Sequence, residues 1–182
     1  GESRIDGFLE GEDTRATARI FSQMGVRIET PDERSRIVHG VGLRGLKASS
    51  EALDCGNAGT GMRLLTGLLS AQAFDSTLVG DASLSKRPMA RVVRLLQAMG
   101  ARIDAHEDNF APLYIHGGQV LKGVTIDTQV ASAQVKSALI FAALYAQGET
   151  VITEPRPTRD YTESMLKSLG WPIEYRPGEV LV

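Results

Sequence analysis

Four short stretches hold the residues able to do chemistry: GNAGTGMR (56–63), SLSKRPM (83–89), VASAQVK (130–136) and PRPTRDYTE (155–163). In the first, glycines flank Asn57, Gly59 and Thr60 just before the apolar run Met62, Leu64, Leu65, Leu68, Leu69. Glycine lets backbone approach a ligand, and a helix N-terminus offers unpaired N–H groups and the positive end of a dipole. Together they suit a phosphate or carboxylate. Arg63 can add a fixed charge. The loop is neither a Walker motif nor G-x-G-x-x-G. Arg87 stands before Pro88 at the mouth of another expected helix, where a forked donor fits the same anions. Lys86 beside it reads as a surface charge. Ser132, Ala133 and Gln134 gather a hydroxyl, a backbone N–H and a carboxamide at a third helix start. Lys136 either reaches that mouth or points to water. Arg159 either holds an anion or pairs with a neighbouring acid, and Asp160 caps the next helix. Each feature alone also reads as a plain cap or a solvated charge, so the case rests on whether they converge.

Other chemistries find no support. His39, His106 and His116 share no spacing, so neither a metal site nor a catalytic dyad is expected, and no cofactor motif occurs. Cys55, the one cysteine, lies in a short apolar strand as an inert buried thiol. It allows no intramolecular disulfide, which points to a reducing, cytoplasmic compartment. A net charge of −2 and 5% aromatics, not interleaved with basic clusters, give no footprint for nucleic acid or an anionic membrane surface. No run is long enough for a spanning helix, and 42% apolar residues can fill a core.

The elements that must carry these residues repeat with a period of about 74 residues. RATARIFSQMGVRIE, MARVVRLLQAMGARID and TESMLKSLGWPIEY each read as an amphipathic helix, a glycine stop and a short strand. Upstream of each lies a strand with an acidic start: ESRIDG, DSTLVG and ETVITE. Gly25, Gly100 and Gly170 occupy the left-handed position after a helix. Asp13, Pro88 and an Asp160–Glu163 capping box mark the helix starts. PDERS, HEDNFAP and RPGE signal hairpin turns. In the first two copies a further strand and a buried helix follow, entered at Gly59–Arg63 and Ser132–Val135. The third stops at Val182 after its hairpin, so the repeat units are about 1–73, 74–147 and 148–182. The missing strand and helix are expected from sequence before Gly1, the chain being cut inside a closed three-unit domain. A domain complete in two and a half units is the alternative. Closure about one axis would bring the anion-seeking helix starts to a common face.

LDCGNAGTGMRLL, GDASLSKRPMARVVRLLQAMGA, ASAQVKSALIFAAL and RDYTESML together resemble the 5-enolpyruvylshikimate-3-phosphate synthases of the shikimate pathway, and the similarity runs over the whole chain. The resemblance implies an α/β inside-out barrel domain of β-α-β-α-β-β units with pseudo-threefold symmetry, one of two domains of an enolpyruvyl transferase. It implies phosphoenolpyruvate near Asn57, Gly59, Thr60, Arg87 and Gln134, and shikimate 3-phosphate on Ser132, Ala133, Gln134 and Arg159. The family's Lys-Ser and Arg of the N-terminal strand and helix precede Gly1, and its proton-transfer carboxylates lie in the other domain. No catalytic residue, metal or cofactor is therefore expected in this chain, and activity of the chain alone is expected to be weak or absent. Gly59 stands where a larger residue would crowd the inhibitor glyphosate, so an intact enzyme with this loop is expected to be sensitive. A non-enzymatic repeat domain, a phosphate-ester enzyme of another kind, and a related transferase acting on a UDP-sugar are the competing readings; the last lacks a recognisable cysteine-bearing loop.

Overall fold

Strand and helix signals alternate along the whole sequence, and the computed structural model, which describes residues 1–182, converts them into three sheets around two buried helices. The first stretch comprises β1 (Glu2–Asp6), α1 (Glu12–Gln23), β2 (Arg27–Asp32), β3 (Ser35–His39), β4 (Leu53–Asp54) and α2 (Gly59–Leu69). The same order recurs as β5 (Ser76–Val79), α3 (Ala90–Ala98), β6 (Arg102–His106), β7 (Phe110–His116), β8 (Thr125–Asp127) and α4 (Ala133–Ala143). It begins again with β9 (Val151–Thr153), α5 (Tyr161–Ser168), β10 (Glu174–Arg176) and β11 (Glu179–Leu181). The fold is a mixed α/β domain.

Two sheets have four strands in equivalent orders, β4-β5-β7-β6 and β8-β9-β11-β10. In each, the short strand that leads into a buried helix pairs in parallel, Leu53 against Leu78 and Ile126 against Ile152, and the rest is antiparallel. The remaining sheet, β1-β3-β2, has three antiparallel strands, and β1 has no parallel neighbour. Local details repeat as well. Asp54 and Asp127 end their strands with an Oδ1 that accepts the N–H two residues on, each at 2.8 Å. Gly25, Gly100 and Gly170 follow their helices at φ 90°, 103° and 84°, values that strain any residue with a Cβ.

Helices α2 and α4 form the centre of the core. Eight of the eleven residues of α4 are buried, so it is enclosed on all sides, unlike the amphipathic α1 and α3. The two central helices cross where Gly67 lies against the Ala138 carbonyl, with Met62, Leu65, Leu69, Leu139 and Ile140 packed around them. Beside the three-stranded sheet a cavity of about 750 Å³ stays open, walled by Ile5, Phe8, Phe21, Leu68, Phe141 and Leu144. Helix α5 leaves Tyr161, Met165 and Leu169 exposed at i, i+4 and i+8, one apolar stripe.

Local expectations shift at three helix starts. Pro88 lies before the N-cap Met89 rather than in the first turn of α3, and a 3₁₀ turn at Leu84–Lys86 precedes it. Gly11 rather than Asp13 is the N-cap of α1. Asp160 is the N-cap of α5 but makes no side-chain cap bond, and Glu163, its expected capping-box partner, turns into the core.

Candidate functional site

The mouth of α2 has no side-chain cap, since its N-cap residue is Ala58, and no acid lies in its first turn. Around it the predicted residues lock together. Arg87 donates from Nη2 to Asn57 Oδ1 at 2.5 Å and from Nη1 to the Asn57 carbonyl at 3.4 Å. Asn57 in turn donates from Nδ2 to Asp81 Oδ2 at 2.8 Å. Asp81 Oδ1 accepts the N–H groups of Ser83 and Leu84 at 2.9 and 2.7 Å. The Asn57 amide, and then the Leu84 N–H, hold the Asp81 carboxyl below its ordinary range. Asp81 thus fixes Asn57, and Asn57 aims Arg87. A Cβ on Gly59 would stand 3.1 Å from Arg87 Nη1 and 3.2 Å from Arg63 Nη1, so glycine is what leaves both guanidiniums room.

The mouth of α4 joins the same network. Ser132 is the N-cap and its Oγ accepts the Val135 N–H at 3.4 Å. Gln134 Oε1 accepts from Arg63 Nη1 at 2.9 Å, and Gln134 Nε2 donates to Thr60 Oγ1 at 2.8 Å. Arg63 also donates to the carbonyls of Gly59 (3.3 Å) and Pro88 (3.2 Å). Arg63 therefore bridges α2, the loop before α3, and α4. Burial, followed by repulsion from Arg87 and Arg91, pulls its pKa below the ordinary arginine value. None of Arg63, Arg87 and Arg91 has a carboxylate partner within ion-pair distance. Three arginines held together with no direct ion pair, and only Asp81 and Asp127 as nearby carboxylates, make a place where an added anion gains energy. A cleft of about 670 Å³ opens beside them, lined by Arg63, Arg91, Arg94, Asn109, Ser132 and Gln134.

Arg159 lies outside this hydrogen-bonded set, exposed, with its guanidinium carbon 6.0 Å from the Tyr161 ring centroid. Lys136 neither reaches the mouth nor faces water. It is buried, and its Nζ lies 2.9 Å from Glu154 Oε2 and 2.8 Å from Glu163 Oε1. Burial opposes the charge, but hydrogen bonds to Glu163 and Glu154 outweigh it and raise the Lys136 pKa. Lys86 is exposed. His39 and His116 pair with hairpin acids, Glu29 and Asp104, at 2.7 Å each. Cys55 is buried, and burial, with Asp54 next, pushes its thiol up to about 12. Asp81, the bridging role of Arg63 and the Lys136–Glu154–Glu163 cluster went unseen in the sequence. The only local signal for Asp81 was its place two residues before Ser83, an Asx-turn spacing.

Comparison with known proteins gives the class and then the family. The fold is that of an enolpyruvyl transferase: NikO from Streptomyces tendae matches the whole chain at TM-score 0.50 and 18% identity, over 42% of its own length. The sequence matches the family model for EPSP synthase (3-phosphoshikimate 1-carboxyvinyltransferase) over residues 1–182, and the chain belongs to that family. The 3-phosphoshikimate 1-carboxyvinyltransferase of Xanthomonas euvesicatoria is 65% identical over 179 residues, 98% of this chain. EPSP synthase from Acinetobacter baumannii superposes on all of it at TM-score 0.97 and 51% identity. The chain spans about 41% of the length of each of these two relatives. No helix is long and apolar enough to cross a membrane.

Proposed function

We infer that these 182 residues are the substrate-holding domain of a two-domain enzyme. That enzyme transfers the enolpyruvyl group of phosphoenolpyruvate to the 5-hydroxyl of shikimate 3-phosphate, with release of phosphate. The observation that carries the reading is the linked pair of helix mouths. Uncapped N–H groups at α2, Arg87 aimed by Asn57 and Asp81, and Arg63 on Gln134 surround one spot where arginines outnumber carboxylates. Phosphoenolpyruvate, with a phosphate and a carboxylate, fits beside Asn57, Gly59, Thr60 and Arg87. Gln134 stands between it and shikimate 3-phosphate, whose phosphate would take Ser132 Oγ, the Ala133 N–H and Arg159. The reaction proceeds by addition and elimination, and both steps require a proton donor and acceptor. Asp81 is committed to Asn57 and two N–H groups, Glu154 and Glu163 are buried on Lys136, and Asp127, the one carboxylate lining the cleft, has no partner residue able to form an acid–base pair with it, so the acid–base groups are assigned to the rest of the enzyme.

The same reading assigns an occupant to the open cavity. Where β4–α2 and β8–α4 complete two units, the third would take a parallel strand beside β1 and a helix over Phe21, Leu68 and Phe141, supplied by the same polypeptide outside these residues. A reducing, cytoplasmic setting agrees with the lone buried thiol of Cys55.

The test is a titration of the 182-residue chain with shikimate 3-phosphate, followed by amide NMR shifts. A transfer assay follows, with and without the remainder of the enzyme supplied in trans. Shifts at Gly59, Arg87, Ser132 and Arg159, with turnover only in the complemented sample, support the assignment. A repeat domain whose polar helix starts are merely caps would show no shift at millimolar ligand, and turnover by the chain alone would refute the assignment of acid–base groups elsewhere.

A further inference from the structure

Lys136 sits two residues beyond Gln134, on the opposite side of α4, and its ammonium is spent in the core between two carboxylates whose side chains are 1% exposed. The two acids are used differently. Glu154 engages both oxygens. Oε2 meets Lys136 at 2.9 Å and accepts the Thr158 N–H at 3.3 Å, while Oε1 accepts the Thr158 hydroxyl at 2.6 Å. Glu163 meets Lys136 through Oε1 alone, and its Oε2 is buried with no partner. Helix α5, which carries Glu163, keeps a second tie to α4 through the hydroxyls of Ser137 and Thr162 at 2.7 Å. The loop 155–159 has only Glu154 as a side-chain anchor to α4, and Thr158, the residue so anchored, precedes Arg159.

We propose that Lys136 and Glu154 are positioning residues for shikimate 3-phosphate. The chain Lys136–Glu154–Thr158 holds Arg159 at a fixed place relative to the Ser132–Gln134 mouth of α4, so that one phosphate can be gripped from both sides. The proposal rests on the reading above, which puts that phosphate on Ser132 and Arg159. Its physical basis is that a buried ion pair with its remaining lone pairs satisfied is rigid, whereas an exposed arginine on a free loop must be ordered by the ligand at a cost in affinity. Glu163 supplies charge to the cluster but no grip on the loop.

Two isosteric changes separate these roles in the complete polypeptide, because each removes one carboxylate charge from the same ammonium. Glu154→Gln is expected to raise the dissociation constant for shikimate 3-phosphate on the order of tenfold. The KM for phosphoenolpyruvate and kcat at saturation should each change by less than about threefold. Glu163→Gln, which keeps its one acceptor toward Lys136, is expected to bind within about twofold of wild type. Thr158→Val removes the 2.6 Å hydroxyl bond from the loop side, leaving only the longer backbone N–H contact and the buried charges intact, and should reproduce most of the loss seen in Glu154→Gln even if that variant folds poorly. Equal affinity in Glu154→Gln and Glu163→Gln, or equal shifts for both substrates, would overturn the proposal. Ser132→Ala and Arg159→Ala serve as references. If they leave binding intact, the substrate assignment itself fails; if they weaken it and Glu154→Gln and Thr158→Val do not, only the positioning role fails.

Discussion

Gly59 shows how little room one side chain has at the α2 mouth. A methyl group there would press on the terminal nitrogens of Arg87 and Arg63 at 3.1 and 3.2 Å, tighter than ordinary van der Waals contact. Both guanidiniums are held by other bonds, so Arg87 must break from Asn57 or stay crowded. Gly59→Ala is therefore expected to raise the phosphoenolpyruvate KM about tenfold and to weaken glyphosate inhibition at least as much, as read from steady-state kinetics of the complete enzyme. Unchanged constants would show that the ligand does not come near this atom. Gln134→Glu tests the electrostatic side. It would set a carboxylate where Arg63 now meets an amide at 2.9 Å and fill the anion vacancy from within. Affinity for both anions should fall on the order of tenfold or more, an effect that added salt diminishes. Gly59, Arg87 and Gln134 could be nominated from sequence because each bears a local signal, a glycine or a polar group at a helix start, whereas Asn57 and Thr60 are singled out by the family resemblance. Asp81 could not, as its value lies in reaching Asn57 24 residues away, and the Arg63–Gln134 bond spans 71.

Helices and turns were legible for a related reason. The glycine stops, the hairpin turns and the alternation of strand and helix are written in short windows, and the structure has each of them. The failures lie where a distant partner overrides a local preference. Glu163 was read as half of a capping box with Asp160, but the buried ammonium of Lys136 outbids an exposed N–H. Lys136 itself could not be placed, because the sequence does not show that two carboxylates meet it in the core. Two stability predictions belong to this level. Gly67→Ala would drive a methyl into the Ala138 carbonyl where α2 and α4 cross, and should cost about 1 to 3 kcal/mol in chemical denaturation. The second concerns pH. The folded-state pKa of Lys136 lies above its ordinary 10.5, so its contribution is fully present below the unfolded value and is lost as pH rises through the folded one. The wild-type denaturation midpoint should begin to fall above about pH 9, where the unfolded but not the folded Cys55 thiol ionises, and fall further above pH 10.5 as the Lys136 contribution is lost. Lys136→Met should start lower by about 3 to 5 kcal/mol and lack that part of the alkaline decline. A variant as stable as wild type would contradict the importance of the cluster.

Across the whole molecule, three weak motifs gain meaning from where the repeat puts them. Two central helices point their N-termini into one network, and Arg87 enters it from the loop ahead of α3. Net charge is −2, so the basic character is local to this face and not a property of the surface at large. The three-stranded sheet lacks the parallel strand that the two four-stranded sheets have, and the open cavity lies beside it. The most direct test of the proposed activity is phosphate release by the complete polypeptide supplied with phosphoenolpyruvate and shikimate 3-phosphate. One phosphate per enolpyruvyl product is expected, reduced at least about a hundredfold in Arg87→Ala, with none from UDP-N-acetylglucosamine as acceptor. Phosphate release that needs no shikimate 3-phosphate, proceeds with the UDP-sugar, or survives Arg87→Ala would contradict it.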